Sequence, residues 1–257
     1  GSEMCIRDSF TPILRWTVSD PTVAEIVESG QDFCTIRGIA HGAVTVTGDL
    51  YGRGESFEIQ VTDPAFAEFE DKFVDISGHW AEDEILNATY RGWFQGMDAT
   101  HFARNEGTTR AMMVTTLYRL AGSPEVTEKS SFTDVPENAW YTDAVAWAVQ
   151  NGVTEGTSEE TFSPHEKVTR EQAATFLYRY ATKVLGFWFT LEGDLSGYTD
   201  GDRISEFAAE AILWATDAGV FQGFPDGTFQ PQGALTRAQL AKILTVLNRY
   251  AASYSPW

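Results

Sequence analysis

The clearest pattern along the chain is a set of apolar positions at helical spacing that occurs three times between residues 73 and 252. In each copy, apolar or small residues recur at positions i, i+3, i+4 and i+7 and end on a glycine, which predicts a helix with a glycine stop. A second stretch with the same spacing follows a turn-rich loop. The first-helix positions are Ile85, Ala88, Thr89 and Gly92; Val145, Ala148, Val149 and Gly152; Ile212, Ala215, Thr216 and Gly219. The second-helix positions are Met113, Thr116, Leu117 and Leu120; Ala173, Phe176, Leu177 and Tyr180; Leu240, Ile243, Leu244 and Leu247.

These copies predict a mainly α region built from helix-loop-helix repeats over residues 73–122, 132–182 and 198–252. A lone helical hairpin cannot bury its apolar stripe, so we predict that the three units share one core as a compact pseudo-threefold cluster. The link at 183–197 carries Phe187, Trp188 and Phe189, which is too apolar for a free linker, so we expect it to pack on the repeats.

Each second helix opens on a Thr-Arg pair at a fixed distance from earlier marks. The arginine lies fourteen residues after a glycine and eight after a phenylalanine in every copy. An aromatic-x-Asp motif precedes the first helix. The pairs are Thr109-Arg110, Thr169-Arg170 and Thr236-Arg237; the glycines are Gly96, Gly156 and Gly223; the phenylalanines are Phe102, Phe162 and Phe229; the motifs begin at Phe73, Phe132 and Tyr198.

The chemistry of the Thr-Arg pair is unusual for a helix start. Thr is a good N-cap, and a Gln three residues later predicts a capping box at Thr169 and at Thr236. Arg then occupies the first helical position, where the helix dipole disfavours a cation by roughly 0.3–1 kcal/mol. Three such arginines predict an anionic group at each helix N-terminus. Either an Asp of the protein or an acidic ligand would satisfy that prediction.

The N-terminal part of the chain predicts a small all-β module at residues 10–63, followed by an acidic linker at 64–72. Short alternating stretches are separated by turn signals such as Ser29-Gly30 and His41-Gly42. Residues 1–9 begin with Gly1-Ser2, which resembles the remnant of a cleaved tag, and we set them aside as an artefactual segment. They lack the apolar region of a signal peptide, so we interpret the chain as part of a longer parent. The predicted strands are Leu14–Val18, Ala24–Val27, Phe33–Ile36, Ala43–Thr47 and Phe57–Val61.

The amino-acid composition limits the classes of partner that the protein can bind. The net charge is −19 over 257 residues, so neither nucleic acid nor an anionic membrane suits the surface as a whole. No apolar stretch is long enough to cross a membrane. The two cysteines, Cys5 and Cys34, leave pairing open. Neither a metal-ligand spacing nor a cofactor loop is present, so we expect no metal and no cofactor.

The motif order resembles the S-layer homology (SLH) domain family over about 180 residues: F-x-D, a first helix, a Gly-x-x-x-G-T-F-x-P loop clearest at 223–231, and T-R-(A/E)-Q. The resemblance implies a three-pronged helical assembly on the bacterial cell wall or in an S-layer. It also implies non-covalent binding of anionic, pyruvylated secondary cell-wall polysaccharide in grooves between neighbouring repeats, with self-association in a surface layer as a further expectation. The β-module resembles part of a bacterial immunoglobulin-like group 2 sandwich without its first strands, which predicts an exposed edge.

The resemblance also implies site residues, transferred motif by motif. An arginine would take the ketal-linked carboxylate, an aspartate would accept from sugar hydroxyls, an aromatic ring would stack on the sugar, and a glycine would let the backbone approach. For the tryptophans a core position is the alternative, and for the aspartates helix capping or pairing with Arg. The residues are Arg110, Arg170 and Arg237; Asp75, Asp134 and Asp200; Trp80 and Trp140, with Phe207 in the third copy; Gly96, Gly156 and Gly223.

Two departures weaken particular copies. Repeat 1 lacks the capping Gln and the Gly-Thr and Pro of the loop, and repeat 3 has Phe207 where Trp is common. Three function classes remain. The first is a non-catalytic wall anchor, which we favour. The second is an enzyme using paired carboxylates, whose catalytic domain would belong to the parent. The third is a structural repeat for protein–protein contacts.

Overall fold

The structure, a computed structural model, describes residues 14–30, 33–191 and 194–254. They fall into two compact units, one ending at Ala67 and the other beginning at Glu68. The predicted artefactual segment and Cys5, and with it the question of pairing to Cys34, lie outside the described residues.

The first unit contains five strands, which confirms the predicted set. Strands β1, β4 and β5 form one antiparallel sheet in the order β1-β4-β5, and β2 pairs with β3 in a second. The β4–β5 turn places Tyr51 and Gly52 at φ 53° and 80°, the left-handed geometry of a tight hairpin. Val23, Ala24, Val44 and Val46 form its buried core. The strands are β1 (Arg15–Val18), β2 (Ala24–Ser29), β3 (Cys34–Gly38), β4 (Gly42–Leu50) and β5 (Arg53–Val61).

The predicted linker is partly helical. A 3-10 turn at Pro64–Phe66 is capped by the side chain of Asp63, and a short helix, α1, follows at Ala67–Glu70. The Phe66 ring is buried and stacks on His41 at 3.8 Å.

The second unit contains the predicted pairs of helices. The stop glycines Gly92, Gly152 and Gly219 adopt φ of 74°, 67° and 65°, which confirms their role as left-handed C-terminal residues. The predicted apolar positions are largely buried. The first helices are α2 (Glu82–Tyr90), α4 (Thr142–Gln150) and α6 (Glu206–Asp217), and the second helices are α3 (Arg110–Leu120), α5 (Arg170–Arg179) and α7 (Arg237–Ser253).

The main helix–helix contacts join different repeats. Helix α3 packs against α4, α5 against α6, and α7 against α2, so the last helix returns to the first. Two helices of one repeat touch each other much less. The apolar stripes are thus shared around a closed series of three repeats rather than within three hairpins.

Loop backbones close the same series. The backbone N–H of Arg110 donates to the backbone carbonyl of Glu166, that of Arg170 to the carbonyl of Gly233 and that of Arg237 to the carbonyl of Glu106, at 2.8–2.9 Å. Isolated β-bridges join the same loops: Thr109 with Lys167, Thr169 with Ala234, and Gly107 with Thr236. Each second helix therefore begins against the loop of another repeat.

The aromatic link packs on the repeats, as predicted. Phe187 stacks on Tyr254 with ring centroids 3.9 Å apart, and Phe189 lies 5.4 Å from Trp214. Helix α5 runs on into a π turn at Tyr180–Val184, which the periodicity did not predict.

Candidate functional site

The three opening aspartates hold the loops. Asp75 accepts from the backbone N–H of Phe102 at 2.8 Å and of Ala103 at 2.7 Å, one to each carboxylate oxygen. Ala103 has a left-handed φ of 60°, so the loop reverses at this point. The same two bonds form from Asp134 to residues 162 and 163 and from Asp200 to residues 229 and 230. These bonds fix the backbone beside the loop phenylalanine.

The carbonyl of that phenylalanine receives an arginine from another repeat. Arg110 Nε donates to the Phe162 oxygen at 2.7 Å, Arg170 Nε to Phe229 at 2.8 Å, and Arg237 Nε to Phe102 at 2.8 Å. The phenylalanine rings are fully buried, and each lies 4.5–4.9 Å from the guanidinium carbon. The arginines are themselves buried, at 6%, 4% and 2% exposed.

The expected anion at each helix N-terminus is replaced by backbone carbonyls. The first two N–H groups of α3, α5 and α7 all donate to carbonyl oxygens of a neighbouring loop. Neither an Asp side chain nor a ligand is needed there. The guanidinium leaves the helix end and reaches carbonyls and aromatic faces, which lowers the cost that the dipole imposes.

Each guanidinium has N–H donors beyond the one at Nε, because Arg carries five of them. Arg237 Nη2 donates to the backbone carbonyl of Gln95 at 2.7 Å and Arg170 Nη2 to that of Gln222 at 2.9 Å, whereas the buried Nη2 of Arg110 has no partner among the described residues. Burial lowers the pKa of Arg170 and Arg237 to about 10, partly offset by Asp200 and Asp75. Both side chains are therefore still charged at neutral pH.

The loop glycines are required by packing. A Cβ on Gly96 would lie 2.5 Å from the Phe73 ring, and one on Gly223 would lie 2.5 Å from Tyr198. A Cβ on the third loop glycine, Gly156, would lie 2.6 Å from the Phe132 ring, and Gly156 also adopts a left-handed φ of 87°. The aromatic side chain of the opening motif thus occupies the space that a side chain at the glycine would need. These glycines are therefore required by packing whether or not a ligand binds.

Two open grooves run beside these arginines. Groove 1, with an open volume of about 690 Å³, is lined by Phe94, Gln95, Gly96, Met97, Met112, Thr115, Thr116, Arg119, Trp140 and Arg237. Groove 2, of about 850 Å³, is lined by Arg110, Val153, Thr154, Glu155, Gly156, Thr157, Gln172, Thr175, Phe176, Arg179 and Phe207. Without the open solvent at their mouths, the grooves enclose about 280 Å³ and about 400 Å³, at the lower end of the range for ligand clefts.

All three repeats contribute to each groove, whereas the resemblance implied two neighbours. In groove 1 the loop and α3 belong to the first repeat, Trp140 to the second and Arg237 to the third. In groove 2 Phe207 comes from the third repeat and Arg110 from the first. Groove 1 forms on the loop of repeat 1 although that loop departs from the family motif.

The tryptophans are exposed, so the core alternative is wrong for them. Trp140 and Phe207 are each 59% exposed at the rim of a groove, and Trp80 is 57% exposed. The Trp80 ring faces the chain's own Lys242, whose Nζ lies 5.6 Å from the ring centroid. Trp140 and Phe207 combine an accessible ring with a nearby guanidinium.

Both alternatives for the aspartates, capping the first helix and pairing with Arg, are replaced by loop anchoring. Two oxygens of each carboxylate already accept backbone N–H groups, so we propose a positioning role for Asp75, Asp134 and Asp200 instead of direct sugar contact.

Sequence reasoning missed two arginines that line the grooves. Arg119 lines groove 1 and Arg179 lines groove 2. The repeat register carried the signal, because each lies nine residues after the Arg of the Thr-Arg pair. The third repeat has Val246 at this position.

Comparison with known proteins agrees with this architecture. The profile of the S-layer homology domain matches residues 72–112, 131–174 and 197–241. The chain belongs to the S-layer homology domain family. This family places the chain at the bacterial cell surface, in association with the wall. Across the described residues, no helix is long and apolar enough to cross a membrane, and no cluster of three metal-ligating side chains occurs.

Relatives with this domain are larger proteins. An amylopullulanase of Thermoanaerobacterium thermosulfurigenes is 29% identical over 69% of this chain and 9% of its own length. A surface-layer 125 kDa protein of Lysinibacillus sphaericus is 30% identical over 67% of this chain and 14% of its own length. A cellulosome-anchoring protein of Acetivibrio thermocellus is 37% identical over 32% of this chain and 18% of its own length. The chain thus spans less than a fifth of the length of each.

Proposed function

We propose that this SLH chain anchors a longer surface protein non-covalently to the bacterial wall by binding acidic polysaccharide in grooves 1 and 2. The observation that carries the proposal is the same pair of features in both grooves: a charged, buried arginine and a ring that is 59% exposed. The chain itself takes no catalytic part in this proposal.

The chemistry fits a carboxylated sugar. A guanidinium with unused N–H groups can donate to a carboxylate, and the surrounding protein excludes enough water to strengthen that bond. Trp140 offers a flat apolar face to a pyranose ring in groove 1, and Phe207 does so in groove 2. Since the chain carries a net charge of −19, an anionic ligand must be held by such local cations.

The finer expectations from the sequence belong to the same proposal. A pyruvate ketal would supply the carboxylate. The closed series of cross-repeat contacts supports a pseudo-threefold arrangement of the units, with boundaries near 73–122, 132–182 and 198–252, and the two small sheets support a partial immunoglobulin-like sandwich.

A structural role for the arginines accompanies the binding role, since each Nε bond joins two repeats. For this reason Arg→Ala variants cannot test binding alone. Exposed groove residues are the better targets.

The test is sedimentation with purified wall polysaccharide. We expect Trp140→Ala combined with Phe207→Ala to lose sedimentation while circular dichroism stays unchanged. Trp188→Ala is the matched control, because Trp188 is also 59% exposed but lines neither groove. Chemical removal of the acidic substituents should abolish sedimentation of the wild type. Undiminished sedimentation of the double variant would refute binding in these grooves.

A further inference from the structure

The two grooves differ in the arginine at their rim. Arg179 in groove 2 is paired, with its Nη2 3.2 Å from Glu155 Oε2. Glu155 occupies the register position held by Gln95 in the first repeat and Gln222 in the third, so this carboxylate is peculiar to groove 2. An acidic ligand entering groove 2 would therefore compete with an internal carboxylate.

Arg119 in groove 1 has no such partner. Its guanidinium makes no hydrogen bond or ion pair with any residue that the structure describes, and none of the described residues lining groove 1 is acidic. Burial lowers the pKa of Arg119, and no acidic side chain counteracts this effect. A partly desolvated cation without a counter-charge gains strongly from an anion.

A second feature of groove 1 is an unsatisfied hydroxyl. Thr115 is 4% exposed, lines the groove, and its Oγ1 has no hydrogen-bond partner among the described residues. At the same register in groove 2, the Thr175 hydroxyl donates to the Glu171 carbonyl at 3.0 Å. Buried polar groups are rarely left unpaired, so this hydroxyl also points to a polar ligand in groove 1.

We propose that groove 1 is the preferred site for a carboxylated sugar, with Arg119 as a second cationic contact beside Arg237, and that Glu155 weakens groove 2 by holding Arg179. This inference rests on the proposed function and specifies its site. Groove 2 has one opposing feature, since the buried Nη2 of Arg110 also has no partner among the described residues, but the rim cation of groove 2, Arg179, is held by Glu155, whereas Arg119 in groove 1 is not held.

The experiment is calorimetric titration of the full chain with the methyl glycoside of a hexose that carries a 4,6-linked pyruvate ketal. The neutral methyl ester of the same sugar is the comparison. Trp140→Ala and Phe207→Ala assign the binding phases to grooves 1 and 2. We expect Arg119→Gln to weaken the tighter phase about ten-fold, which is typical of a lost charge-assisted hydrogen bond. Arg179→Gln, the matched control, should leave that phase unchanged.

Glu155→Gln should strengthen the weaker phase several-fold, because it releases Arg179. Thr115→Val should weaken the tighter phase while leaving the weaker one as it was. The inference is overturned if Arg119→Gln leaves the tighter phase unchanged, or if Phe207→Ala removes it. Wild type that binds neither compound, or both equally, would instead refute acidic-sugar binding itself, so the two failures are distinguishable.

Discussion

At the scale of single residues, the guanidinium of Arg170 joins two repeats while remaining charged. Its Nε and Nη2 donate to the carbonyls of Phe229 and Gln222, and its guanidinium carbon lies 4.6 Å from the centroid of the Phe224 ring. A guanidinium can do this because it is planar and more weakly hydrated than an ammonium. The sequence predicted a functional role for these arginines. It could not predict their carbonyl partners, because these lie in another repeat and no residue near the arginine indicates them.

Arg170→Ala should destabilise the helical unit substantially, because it leaves two carbonyls without donors and opens a cavity. We expect the free energy of unfolding in urea to fall by roughly 2–5 kcal/mol. Arg203→Ala, at an exposed position, should change it by less than about 0.5 kcal/mol. Equal effects of the two substitutions would show that the buried contacts contribute little.

Asp75 gives a prediction for acid pH. Burial raises the pKa of Asp75, but hydrogen bonds from the backbone at Phe102, Ala103 and Arg104 outweigh it, so the pKa ends below its ordinary value. The folded state thus favours the carboxylate, which stabilises the protein above the unfolded pKa of about 3.9; this stabilisation is lost as pH falls through the lower folded value.

The difference in unfolding free energy between wild type and Asp75→Asn should therefore be constant from about pH 7 to pH 5 and shrink below about pH 4. Denaturant titrations across this range measure it. A difference that does not vary with pH would mean that the ionised form of Asp75 is not what holds the loop.

At the scale of elements, the sequence predicted those features that depend on interactions between residues close together in the chain. The apolar spacing, the stop glycines and the Thr caps each act within a few residues, and all were confirmed. Capping boxes form at Thr169 and Thr236, where the sequence has the required Gln.

Helix pairing was not predictable in this way. An apolar stripe shows that a helix buries one face but does not name the partner, so the pairing of α3 with α4 could not be read from the sequence. Likewise, the sequence does not show that Trp140 shares a groove with an arginine and a loop from two other repeats.

The capping box makes a separate prediction for helix α5. Thr169 accepts from the Gln172 backbone N–H, and the Gln172 side chain accepts from the Thr169 backbone N–H. Thr169→Ala should lower the free energy of unfolding by about 1 kcal/mol. Thr169→Ser keeps the acceptor and should cost much less, as measured by thermal or urea unfolding. If both substitutions cost the same, the loss comes from the methyl group rather than from the cap.

At the scale of the whole helical unit, closure of the repeats should make folding cooperative. Helix α7 is the main partner of α2, and Arg237 bonds to the loop of the first repeat. Truncating the chain before Thr236 removes both contacts and leaves the apolar face of α2 open. A linear array of repeats would tolerate this loss, because each unit would need only its neighbours.

We therefore expect the truncated chain to lose amide protection in the first repeat as well as in the third, by hydrogen exchange. A truncation within the β unit, such as removal of residues up to 61, is the control and should leave protection in the repeats unchanged. Full protection of the first repeat without α7 would contradict closure.

The most direct test of the central claim is a structure of the chain with the pyruvate-ketal glycoside bound. The account predicts sugar density against Trp140, with the ketal carboxylate within hydrogen-bond distance of Arg119 or Arg237 in groove 1. Sugar density elsewhere on the protein, with groove 1 empty at a concentration that saturates binding in solution, would contradict it.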